Sequence, residues 1–118
     1  MSLQATARVP LLVGNEARAA ALAEVLKAVA HPLRLRLVAL LSHRPHCVSE
    51  LAEALGAKQA IVSQQLRILR MHRLVTAEHR EGRVVYHLHE PQLSHLVDCM
   101  EHCAVPAAQR PHAGGVTR

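Results

Sequence analysis

Apolar residues recur along most of this chain at helical spacing, and one stretch breaks the rule. From Asn15, placed to cap a helix, Leu22, Val25, Leu26 and Val29 fall on one stripe. His31-Pro32 closes that segment, and Pro32 suits the first turn of a second helix, PLRLRLVALLSH. After a loop at HRPH, CVSELAEALG reads as a short helix stopped by Gly56 as a left-handed C-cap. KQAIVSQQLRILRMHRL follows as another helix, burying Val62, Leu66 and Leu69 at i, i+4 and i+7. The exception is LVTAEHREGRVVYHLH, where β-branched runs flank Glu81-Gly82 in the pattern of a hairpin with a tight turn. A last helix is expected over PQLSHLVDCMEHCA, with Leu93, Leu96, Val97 and Met100 on its apolar face.

Two short helices joined by a tight Gly-containing turn, then a hairpin, predict a winged helix-turn-helix. The fold class is mainly α with a small β-hairpin, with one extra helix at each end. An isolated winged helix does not need those outer helices, so their apolar stripes point to dimerisation against a second copy. Residues 1–14, broken by Pro10 and Gly14, read as a flexible N-terminal arm. The folded domain is expected over 15–104, and 105–118, with Pro106, Pro111 and Gly114-Gly115, as a disordered tail.

Composition narrows the partner. The 118 residues suit one domain; half are apolar, Phe and Trp are absent, and Tyr86 is the only aromatic. A core of Leu, Val, Ala and Ile favours closely packed helices. The formal charge of +5, with ten histidines in reserve, points to a polyanion, nucleic acid first. Missing aromatics argue against single strands, whose readers stack bases on rings, so duplex DNA is the better match. No run reaches the ~18 apolar residues of a membrane span, and VPLLV is no secretory core, so a cytoplasmic protein is expected. Three cysteines, an odd number, are expected as free thiols. No nucleophile–base pair, phosphate loop or paired carboxylates suggest an enzyme.

On the predicted reading helix, Gln59, Ser63 and Arg67 share one line, with Gln64 beside them. Gln pairs bidentately with adenine, and Ser bonds several base edges. Lys58 and Arg67 are placed to reach phosphates, as are Arg80 and Arg83 on either side of the wing turn. A solvated helix face is the bland alternative for any one of these alone. An RNA-binding or protein-docking winged helix is the alternative for the set.

The phrases LKAVAHPLRLRLVALL, VSELAEALG, VSQQLRILRMHRLV and REGRVVYHL resemble the ArsR/SmtB family of bacterial metal- and stress-sensing repressors, from about Val25 to Cys103. The resemblance implies a homodimer paired through the first and last helices. It implies binding to an inverted-repeat operator, with half-sites ~34–36 Å apart, and release when an inducer binds. The family often has Ser-x-His-Leu where this chain has Ser63-Gln64-Gln65-Leu66.

The family's inducer sites match only in part. A Cys-x-Cys at the third helix is reduced here to Cys47-Val48-Ser49. Cys47 also stands three before Glu50, at a capping-box position where a thiolate is stabilised and reactive; the alternative is a small residue tolerated at a cap. The positions aligned with a last-helix zinc site are Glu90, Gln92, Cys103 and Pro106, a poor donor set. A redox or persulfide pair would need a second-helix Cys where Ala39 stands. On the last helix, His95, Cys99, His102 and Cys103 share an arc of ~100° beside the apolar stripe. Thiolate plus imidazole suits zinc, cadmium, cobalt, nickel or copper(I), and arsenite would want a third thiol. The opposing reading is a packing helix with one buried Cys and solvated histidines. His79, His87, His89 and His112 are scattered over wing and tail.

Overall fold

The computed structural model describes residues 9–105. The expected arm lies outside the described residues up to position 8, and the expected tail from position 106 onward. The elements are α1 (Glu16–Val29), α2 (Pro32–His43), β1 (His46–Cys47), α3 (Val48–Leu55), α4 (Gln59–Met71), β2 (Val75–Arg80), β3 (Arg83–Leu88) and α5 (Gln92–Glu101).

Local chemistry sets most boundaries. Asn15 Oδ1 accepts from the Arg18 backbone N–H at 2.9 Å, which satisfies a free donor at the start of α1. His31 Nδ1 does the same for Leu33 N–H at 3.2 Å, ahead of Pro32 at the start of α2. Gly56 closes α3 at φ 63°, where a Cβ would be strained. In the wing, Glu81 (φ 53°) and Gly82 (φ 78°) are both left-handed, as the two-residue type I′ turn of a twisted hairpin requires.

Three boundaries differ from expectation. The HRPH segment is not wholly a loop, because His46 and Cys47 pair with Tyr86 and Val85 of β3. The sheet is therefore three-stranded and antiparallel, in the order β1-β3-β2. A two-residue strand is too short to have a period. α4 stops at Met71, three residues short of the expected Leu74. Its end is a Schellman motif: Arg73 N–H reaches Arg70 O at 2.9 Å and Leu74 N–H reaches Leu69 O at 3.0 Å. α5 stops at Glu101, so Cys103 and Ala104 lie beyond the helix.

The core sits where α2, α3 and α4 converge. Leu37, Leu51, Val62, Leu66 and Leu69 are fully buried, and Leu93 and Val97 of α5 close one side. The stripe on α1 is buried only at its C-terminal end, at Ala28 and Val29; Leu22 and Val25 are half-buried and Leu26 is exposed. Among the described residues, no helix is long and apolar enough to cross a membrane.

Candidate nucleic-acid interface and thiol sites

α4 divides its residues by face. Val62, Leu66 and Leu69 lock one side into the core, so Gln59, Ser63, Gln64 and Arg67 are held exposed on the other, with Lys58 exposed at the N-cap. Each expected reading residue is therefore available, on a helix that packing fixes in rotation. Ile61, 42% exposed on the same helix, is an apolar side chain of the kind that packs on a thymine methyl group. Reading for the buried stripe alone passes over it; the only signal is an apolar residue that lies off that stripe.

Gln65 does not join the exposed set. It is half-buried, and its Oε1 accepts from Arg34 Nη1 at 2.9 Å, while Arg34 Nε donates to Ala28 O. Arg34 thus ties the end of α1 and the start of α2 to the reading helix, a role invisible in a linear pattern. The departure from Ser-x-His-Leu falls on a residue that helps hold α4, not on its outward face.

The wing arginines divide. Arg80 Nη2 donates to Glu78 Oε1 at 2.8 Å in an exposed pair, which is worth little in water. Arg83 Nη2 instead donates to Cys47 Sγ at 2.6 Å, across to the start of α3. The expected phosphate contact at Arg83 thus falls on a side chain already engaged within the fold.

Cys47 is 6% exposed and caps α3. Its backbone N–H donates to Glu50 Oε1 at 3.0 Å, the reciprocal half of a capping box. Ser49 Oγ lies 3.1 Å from Sγ. The thiol is held below the ordinary thiol range, chiefly by the Ser49 hydroxyl; burial opposes this, and the Glu50 backbone N–H and Arg83 reinforce it. Glu50 is in turn held below the usual carboxylate range, first by the Cys47 backbone N–H. In a Cys99→Ser/Cys103→Ser background, thiolate absorbance near 240 nm is expected to rise below the ordinary thiol midpoint. Ser49→Ala should move that rise upward, and Arg83→Gln should move it upward by less. The folded state releases the Cys47 proton before the unfolded state does. Its contribution to stability is therefore present above the unfolded pKa and is lost as pH falls through the folded pKa. An absorbance rise unmoved by either variant would contradict these contacts.

The last helix is shorter than the expected arc. His95, Cys99, His102 and Cys103 are all exposed, but the helix ends before the last two. His102 is the C-cap, its Nδ1 2.8 Å from Asp98 O. Beyond Glu101 the backbone continues in a hydrogen-bonded turn, with His102 N–H on Cys99 O and Cys103 N–H on Met100 O, both at 3.2 Å. Among the described residues, no three His, Cys, Asp or Glu side chains are grouped to hold a metal ion. Among the described residues, one chain alone therefore presents no three-donor group for zinc, cadmium, cobalt, nickel or arsenite.

A helix-turn-helix with an exposed polar face on α4, a wing beside it and a further helix at each end defines the winged helix-turn-helix class of fold. The profile of the family described as "Bacterial regulatory protein, arsR family" matches residues 31–77. The HTH-type transcriptional repressor SmtB of Mycobacterium tuberculosis is 39% identical over 85 residues, covering 71% of this chain and 63% of that protein. The crystal structure of the transcriptional repressor BigR from Xylella fastidiosa superposes with a TM-score of 0.68 at 35% identity, covering 76% of this chain and 94% of that one. A homodimeric winged helix-turn-helix DNA-binding domain from Mycobacterium bovis gives a TM-score of 0.66 at 27% identity, covering 73% of this chain and 80% of that one. The chain belongs to the arsR family of bacterial regulatory proteins.

Proposed function

We propose that this protein is a homodimeric transcriptional repressor that acts in the cytoplasm on an inverted-repeat operator in duplex DNA. The observation that carries this reading is the division of α4, with three fully buried residues behind Gln59, Ser63, Gln64 and Arg67. The dimer rests on a groove of about 610 Å³ between α1 and α5, whose apolar wall includes Leu22, Val25, Leu26, Leu93 and Leu96. A second copy presenting the same groove covers both at once, as an isologous interface does. The homodimeric M. bovis relative supports that pairing.

Release by a metal, metalloid or thiol-reactive inducer belongs to the same proposal. Cys99 and Cys103 are exposed thiols. A three-donor metal site at that edge would draw on the second copy, since no three donors are grouped among the described residues of one chain.

The test is binding to duplex from the protein's own promoter. Gln64→Ala/Arg67→Ala is expected to weaken operator binding by about a hundredfold or more, since one good bidentate base contact is worth ~1–3 kcal/mol. Its melting temperature should stay near that of wild type. Equal affinity for operator and unrelated duplex in the unmutated protein would sink the repressor reading. A screen of metals and oxidants for operator release, repeated with Cys99→Ser/Cys103→Ser, tests the inducer site; release unchanged in the double variant removes it.

A further inference from the structure

A further group of basic side chains lies at the C-terminal end of α4, beyond Arg67. A cleft of about 390 Å³ opens at the corner between α4 and β2, lined by Arg70, Arg73, Val75, Thr76, Ala77 and His89. Its lining holds two arginines, a histidine and a threonine and no carboxylate; Arg73 and His89 also border the groove between α1 and α5, where Glu90 joins them. Among the described residues neither Arg70 nor Arg73 has an ion-pair partner. The carboxylates nearest in sequence are engaged elsewhere. Glu78 holds Arg80 and His87, and Glu90 Oε2 accepts from Gln92 N–H at 3.0 Å.

The backbone supplies an independent observation. Arg73 has φ 61°, the left-handed conformation that favours glycine, at the C′ position of the Schellman motif closing α4. The chain ends α3 in the same way, with Ala57 N–H on Ala52 O at 3.0 Å, and there uses Gly56. The same turn thus carries glycine where no side chain is needed, and arginine where the side chain lines a cleft. Local strain retained against an available remedy is a pointer to function.

We propose that Arg70, Arg73 and His89 form a binding site for a phosphate or similar tetrahedral oxyanion. Guanidinium groups suit that ligand because their planar N–H forks match paired oxygens in charge-assisted hydrogen bonds. Arg70 lies eleven residues beyond Gln59 in sequence, ~16 Å along the helix axis. Arg67 lies only three residues before Arg70, ~4.5 Å along the axis, so the site adjoins the C-terminal end of the exposed face and extends it away from Gln59. The phosphate is either one of the DNA backbone or that of a free small molecule. The first source rests on the DNA-binding reading; the second does not.

The experiment titrates inorganic phosphate into the full chain at constant ionic strength, following NMR resonances of Arg70, Arg73, Thr76 and His89. Saturable shifts are expected, with affinity at least about tenfold weaker in Arg73→Gly and in Arg70→Gln, because each removes a hydrogen bond to a charged group. Arg73→Gly should melt at or above the wild-type temperature, since glycine relieves the left-handed residue. Operator binding then separates the sources. If a backbone phosphate occupies the cleft, Arg73→Gly lowers the slope of log affinity against log salt by about 0.9 per phosphate lost. If a free phosphorylated molecule does, the slope is unchanged. Shifts that grow linearly and equally in all three proteins, or a lower melting temperature for Arg73→Gly, overturn the proposal.

Discussion

Leu66→Ala lowers the unfolding free energy by ~3 kcal/mol and the melting temperature by at least ~10 °C. Leu66 is fully buried at the centre of α4, among Val62, Leu69, Leu37 and Leu51. Truncation removes the transfer free energy of its buried carbons. It also leaves a cavity that rigid neighbours on three helices only partly fill. Against a total of ~5–15 kcal/mol for a domain of this kind, that loss is a large fraction. Ile61→Ala, five residues earlier but 42% exposed, should change stability by only ~0.5 kcal/mol. Urea unfolding at one fixed protein concentration measures both, since a dimer's stability depends on concentration. The consequence reaches function, because the same helix carries Ser63, Gln64 and Arg67. If Leu66→Ala and Ile61→Ala prove equally mild, the inner face of α4 does not hold it in place.

Raising salt from 50 to 200 mM is expected to weaken operator binding by about 10³- to 10⁴-fold. With Lys58, Arg67, Arg80 and Arg83 of each of two copies on phosphates the proposed complex has about eight contacts and a log–log slope near −7; without Arg83 it has about six and a slope near −5. Arg83 decides the finer point. If it leaves Cys47 for DNA, Arg83→Gln reduces the slope by about 1.8 per dimer. If its 2.6 Å contact with Cys47 Sγ persists in the complex, the slope stays the same and only the thiol titration moves. A weak salt dependence in the unmutated protein would argue for a partner other than DNA.

Much of the fold was legible because it is encoded locally. The helical stripes, Asn15, Pro32, Gly56 and the Glu81-Gly82 turn each act within a few residues of themselves, so their meaning is readable in a line. The buried face of α4 followed from spacing alone, and with it the exposed Gln59, Ser63, Gln64 and Arg67. Where a boundary differs from expectation, its local signal is missing or atypical. α4 ends at a left-handed Arg73 where a glycine would have announced the stop. α5 ends before Cys103 without a glycine cap. Cys103 therefore sits in an i→i−3 turn, its N–H on Met100 O at 3.2 Å, where a regular last turn of helix was expected.

By itself, then, the sequence determined the order of elements, the division of α4 and the basic character of the reading surface. These depend on period, capping and charge, which are properties of neighbouring residues. Only the tertiary structure decided that His46 and Cys47 form a strand, that Arg83 lies against the Cys47 thiol, and that Arg34 holds Gln65. It likewise placed Arg70, Arg73 and His89 around one cleft. Each of these last arrangements joins residues from different elements, and Cys47 and Arg83 stand 36 positions apart. No periodicity links such positions; packing of the helices and the wing does.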